Sequence, residues 1–407
     1  MSKIRLAHFG LALAALGFTA AAPLVGLAPA AYAAETLRPE VGKPLQAAQS
    51  LMKAGKNKEA LAKLREADAV SGKSANESYL IERVRAGAAS AAGDYSQAAR
   101  SFEILLDSGR LSASEKAQFS EGLVGIYMRA KDYGKANAAI ERQLKERNDP
   151  KLRGYLLQNY YAQGNSAAIL NVVRGEEKAG RIPSEDMYGM VANMQNKSGD
   201  KAGYVVTLEK LARHYPKPSY WADLLNRVER KPGFSSRLSV DVYRLKLKNG
   251  LLKKPSEFME MAQLVLQEKA PAEAQRVVAA GYAAGALGVG AEAARHERLK
   301  ALTDKEAAGF VASAPAQEAA IRKENDMPGL LRLGYGLVQS GKSEQGLKLM
   351  NEAIKSNGLG ERKDEAKLRL GEAYATAGNR KQAEATWRSV GGKDGSADLA
   401  RYFIMTK

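Results

Sequence analysis

Hydrophobic side chains recur three and four residues apart through most of the chain. In "PGLLRLGYGLVQ", Leu330, Leu331, Gly334, Leu337 and Val338 fall on one face of a helix. Leu and Ala dominate while Trp, Phe and β-branched runs are scarce, so the pattern predicts helix rather than strand. The helical stretches come in a repeated form, fullest in "LRLGEAYATAGNRKQAEATW" (Leu370, Gly371, Tyr374, Gly378, Ala383, Trp387). A second copy is "LRLGYGLVQSGKSEQGLKLM" (Leu333, Gly334, Leu337, Gly341, Gly346, Met350). In both, two small residues stand 12 apart, and a large residue follows three or four positions later. Looser copies are "AGDYSQAARSF" (Ala98, Phe102), "AKDYGKANAAI" (Ala136, Ile140) and "GKNKEALAKL" (Ala60, Leu64).

With the second small residue as marker, the series runs Ala60, Ala98, Ala136, Ile169, Tyr204, Ala274, Gly346, Ala383, at intervals of 38, 38, 33, 35, 70, 72 and 37. The two doubled intervals imply degenerate units near 219–253 and 289–325. Small residues let paired helices approach closely, and Leu, Tyr, Phe and Trp fill the holes around them. Gly-Asn, Gly-Asp and Gly-Lys pairs mark the ends of first helices, since Gly takes the left-handed cap conformation at little cost. This resembles the tetratricopeptide repeat, a helix–turn–helix of about 34 residues. The resemblance covers nearly everything from residue 41 onward. It implies an all-α fold, a right-handed superhelical solenoid of about ten helical hairpins spanning 41–407, with a closing helix near 396–407.

The N-terminal residues change the setting. Lys3, Arg5 and His8 precede the apolar run "FGLALAALGFTAAAPLVGLA", and Ala31-Tyr32-Ala33 supplies a small-x-small cleavage pattern. Residues 1–33 therefore read as a signal peptide and 34–40 as a short linker, with the periplasm as destination. Pro23 and Pro29 break the run and argue against a retained anchor. The absence of cysteine excludes disulfides, thiolate metal sites and lipid attachment at a Cys. The formal charge is +17, or +15 without residues 1–33, which suits anionic or acidic partners. Export argues against nucleic acid.

Candidate chemistry is sparse. "GLVQSGKS", Gly336–Ser343, fits the phosphate-loop pattern G-x-x-x-x-G-K-S. Such a loop needs a buried strand before it, and the preceding residues have helical spacing, so the match is read as a coincidence. His214 and His296 have no ligand-spaced partners, and no nucleophile elbow occurs. No enzyme, cofactor or metal is expected.

Repeat arrays bind through the concave surface formed by their first helices. Counting from the markers, the groove-facing ninth position reads Gln158, Asn193, Asn226 and Gln263 in four consecutive units, and Tyr335 and Glu372 in late ones. A row of carboxamides can donate to and accept from the backbone of an extended peptide. Neighbouring positions add Tyr161, Asn196, Lys197, Arg230 and Gln267. The stretch 226–255 holds nine Lys or Arg against two acids and reads either as a solvated face or as a site for an acidic partner. The expected function is a non-catalytic scaffold for a protein or peptide partner. The competing class is a peptidoglycan- or polysaccharide-associated envelope module, for which Tyr161 and Tyr335 would be sugar platforms. "YPKPSYWADLLNRVERKPGFSSRLSVDVYRL" and "EFMEMAQLVLQ" resemble an uncharacterised group of exported repeat proteins of Gram-negative bacteria. Some of these are encoded near the machinery for TonB-dependent uptake, which implies an accessory role in transport.

Overall fold

The structure, a computed structural model, describes residues 37–146 and 148–406. The expected signal peptide lies outside the described residues, as does the start of the linker. Among the described residues there are twenty α-helices and no strand. The chain divides into two compact units, one ending at Pro183 and the other starting at Ser184.

The first unit contains four successive hairpins: α1 (Pro39–Lys53) with α2 (Asn57–Asp68), α3 (Ala75–Ala92) with α4 (Tyr95–Asp107), α5 (Ala113–Arg129) with α6 (Tyr133–Glu146), and α7 (Pro150–Ala162) with α8 (Ser166–Lys178). Within this unit, consecutive helices from α1 to α8 pack on one another. Leu64, Ile81, Phe102, Leu105, Ile126 and Ile140 are buried between them, each contributing about 1.5–3 kcal/mol by leaving water.

In the second unit, α9 (Glu185–Ser198) pairs with α10 (Lys201–His214), α11 (Pro218–Glu229) with α12 (Ser239–Lys248), and α13 (Pro255–Gln267) with α14 (Pro271–Ala283). A long α15 (Ala293–Lys323) follows. Then come α16 (Met327–Gln339) with α17 (Ser343–Lys355), α18 (Lys363–Thr376) with α19 (Arg380–Arg388), and α20 (Ser396–Met405).

The local rules read from the sequence are visible at the hairpins. Gly93 takes φ +79°, Asp94 N–H returns to Ala89 O at 2.9 Å, and the Asp94 side chain accepts from Gln97 N–H at 3.0 Å. One residue thus ends the first helix and its neighbour starts the second. Gly378-Asn379 does the same between α18 and α19. Ala60, Ala98, Ala136, Ile169, Ala274 and Ala383 are fully buried; Tyr204 is half-buried, its hydroxyl donating to Asp223 at 2.8 Å.

One stretch departs from the expected hairpin. Residues 289–325 contain the single 31-residue α15. The residue after Gly309 is Phe310, not an Asn, Asp or Ser that would cap a new helix, and Ser313 donates its hydroxyl back to Phe310 O at 3.0 Å. Phe310 and Ala314 are instead buried one turn apart on the same face, so the chain continues through.

The second unit also closes on itself. α20 packs on α18 and α19, as a terminal helix would, and then reaches back to α10 and α12. The Trp221 and Tyr402 rings meet edge to face with centroids 6.4 Å apart, and Ser235 N–H donates to Asp394 O at 2.9 Å. Gly395, at φ +104°, lies against Phe234: an added methyl would stand 2.6 Å from that ring. The last helix of this unit therefore closes back on its early helices.

Candidate functional site

The nucleotide-like string folds as a helix–turn–helix. Gly336 lies inside α16, Gly341 takes φ +82°, and Ser343 opens α17. Gly341 N–H donates to Val338 O at 3.0 Å and Lys342 N–H to Leu337 O at 2.9 Å. The amides that would cradle a phosphate are bonded to the last turn of α16.

The amide positions all lie on first helices of their pairs. In the first unit, Gln158 on α7 is exposed and Tyr161 half-buried. In the second, Asn226 on α11 and Gln263 on α13 are exposed, while Asn193 on α9 is half-buried. Asn196 and Lys197 at the end of α9, Arg230 just beyond α11, and Gln267 at the end of α13 are exposed. The principal packing here runs in chain order, α9 on α10, α10 on α11, α11 on α12 and α12 on α13.

The late ninth positions behave differently. Tyr335 and Glu372 are 2% and 3% exposed, so neither faces an open groove. The Arg244 guanidinium lies 4.5 Å from the centroid of the Tyr335 ring. The Glu372 carboxylate accepts from Lys248 at 2.7 Å, and burial still pushes its carboxyl above the usual carboxylate range.

These two belong to a charge cluster centred on α12. Arg244 donates to both Glu273 carboxylate oxygens at 2.8 Å and to Asp241 at 2.7 Å. Burial is the largest single influence and opposes the Arg244 charge, but Glu273 and Asp241 act with their neighbours to hold the guanidinium well above its ordinary value. Arg369 on α18 donates to Glu268 at 2.9 Å and to Arg237 O at 2.9 Å, and its Nε faces Asp241 at 3.5 Å. Asp241 Oδ2, Arg369 Nε and the Tyr335 hydroxyl are buried there without a hydrogen-bond partner.

The basic stretch 226–255 is therefore not a free patch. Arg227 pairs with Asp223, Lys231 with Asp398, Arg237 with Glu365, Arg244 with Asp241 and Glu273, Lys246 with Glu229, and Lys248 with Glu372. Three of these partners come from the last fifty residues. Pattern reading missed them because a cation far along the chain from its acid leaves no periodic signal. Arg230, Lys253 and Lys254 are exposed.

Both described histidines sit in protein contacts. His214 stacks on Tyr188 at 6.4 Å, and buried His296 accepts from Gly288 N–H at 3.2 Å. Among the described residues no group of three or more His, Asp or Glu side chains could hold a metal ion. No described helix is long and apolar enough to cross a membrane.

No protein-family model matches the sequence, and no curated protein matches it either. Solved structures show weak likenesses. A structure of Naa15/Naa10 bound to HypK-THB is 15% identical at a TM-score of 0.31, covering 89% of this chain. This chain spans 60% of the length of that one. The P58(IPK) TPR domain is 12% identical at a TM-score of 0.21, covering 90% of this chain and 98% of that domain. Yeast Tom70 is 16% identical at 0.21, covering 90% and 81%.

Proposed function

We propose that the chain is a non-catalytic, exported scaffold of tetratricopeptide type that holds an extended peptide or protein segment on its first helices. The reading rests on one observation: carboxamides recur at the same first-helix position in successive hairpins, and Gln158, Asn226 and Gln263 are exposed there. An exposed amide offers a donor and an acceptor to a peptide backbone without the desolvation cost of a charge. An accessory role in cell-envelope transport follows from the resemblance to exported repeat proteins and belongs to the same proposal. The stretch 226–255 does not select an acidic partner in the closed form, because its cations are largely paired within the unit. The polymer-binding alternative loses one of its two tyrosine platforms, since Tyr335 is buried under Arg244.

Photo-crosslinking in cells tests the proposal. A crosslinker at Asn226 or Gln263 should yield a discrete protein adduct, and one at Lys348, exposed on second helix α17, should not. Equal labelling from all three sites, or co-sedimentation with purified cell wall in place of any protein adduct, would count against it.

A further inference from the structure

The seam that closes the second unit has an uneven electrostatic construction. Three of the ion pairs that cross it join a half-exposed cation to a buried or nearly buried acid: Lys231 to Asp398 (45% and 16% exposed), Arg237 to Glu365 (47% and 3%), and Lys248 to Glu372 (41% and 4%). Arg401 to Glu209 crosses with the opposite polarity, and the buried Arg369 crosses to Asp241 and Glu268. The cations of the first three pairs lie between residues 231 and 248, and their acids beyond residue 364. The cations remain within reach of salt, whereas the acids are shielded by the closure itself. Beside the seam an open surface depression lies between Arg213, Arg380 and the end of α20. At the cluster behind it, Asp241 Oδ2 and Arg369 Nε are buried without hydrogen bonds and face each other at 3.5 Å. By contrast, Arg244 ties α12 to Glu273 on α14 through a fully buried bidentate pair that salt does not reach.

We propose that this seam is a latch masking an acidic-partner site, in which Glu365, Glu372 and Asp398 occupy the place of an acidic segment on Lys231, Arg237 and Lys248. When the latch opens, α12 stays on α14 through Arg244, while the face carrying residues 231–248 becomes basic and unpaired. An acidic peptide binds the opened form by replacing the carboxylates that the chain itself supplies. The partner's biological meaning rests on the scaffold reading above, but the opening and its charge preference do not, and they are read separately.

The test uses the full chain and a fluorescein-labelled oligoglutamate as probe. Replacing Glu372→Gln and Asp398→Asn together should strengthen probe binding by at least about tenfold. Adding Lys231→Glu and Lys248→Glu to that variant should abolish the gain. Because the chain has no cysteine, Ser235→Cys with Asp394→Cys places a single disulfide across the seam, and the oxidised form should also lose the gain. If the oxidised form binds as tightly as the released one, the probe sits elsewhere on a basic surface and the proposal fails. A second measurement covers poor folding of the released variant. In the wild-type chain, hydrogen exchange in 236–249 and 395–405 should accelerate together as salt rises from about 20 mM to about 500 mM, with α16 and α17 unchanged. Exchange in those segments that ignores salt would overturn the latch.

Discussion

Substitution of one glycine isolates the contact on which the hairpins depend. Gly346 on α17 and Gly334 on α16 face each other with no side chain between their backbones. A methyl added at Gly346 would run into the Gly334 carbonyl oxygen and stand 2.7 Å from a Val338 methyl and 2.8 Å from the Val338 nitrogen. Carbon atoms pack at about 3.5–4.0 Å, so the helices must part by roughly 1 Å. Overpacking of this kind costs about 1–3 kcal/mol, and the upper end applies because two of the obstructing atoms are backbone. Gly→Ala in a helix returns about 1 kcal/mol, leaving a net loss of about 2 kcal/mol for Gly346→Ala. Gly309, in the middle of α15, provides the matched control, since nothing lies within 4 Å of an added methyl. Gly309→Ala should therefore stabilise by up to about 1 kcal/mol. Urea unfolding followed by helical circular dichroism reads both, with midpoints moving in opposite directions and Gly346→Ala falling by roughly 1 M. If Gly346→Ala raises the midpoint as Gly309→Ala does, the close approach is not limiting and the account of the small-residue marker is wrong.

Two further outcomes follow from the charged contacts. Arg244→Ala leaves Glu273 buried without its cation and Asp241 with Arg369 alone, which should cost about 3–5 kcal/mol in a urea titration; a loss below about 1 kcal/mol would show that the cluster relaxes freely. In the first unit, the bond from Arg38 and then the Ser74 N–H lower the Glu77 carboxyl to about 2. A depressed carboxylate stabilises the fold fully above its ordinary value of 4.5, and that contribution fades as pH falls toward 2. Glu77→Gln should flatten the acid side of the stability profile for 38–92, measured as hydrogen exchange against pH, and an unchanged profile would contradict the assignment.

Much of this molecule is written in short-range pattern. The Gly-Asp and Gly-Asn junctions, the buried alanines at the markers and the helical setting of Lys342 all follow from residues within about forty positions of one another. Periodicity and cap chemistry report such neighbours directly. The candidate amides were legible as positions on first helices for the same reason, and three of the four are exposed. The single helix over 293–323 was missed because a doubled interval says that a marker is absent, not what replaces it.

By itself the sequence determined an all-α array of hairpins, since each hairpin is specified by its own small residues and caps. Only the tertiary structure decided that the second unit closes and that three cations of its basic stretch, Lys231, Arg237 and Lys248, are spent on acids 124 to 167 residues away. The physical reason is that Coulomb attraction and desolvation depend on distance in space. Lysines at 231 and 248 look alike in sequence whether they face water or a carboxylate brought back from the far end of the chain.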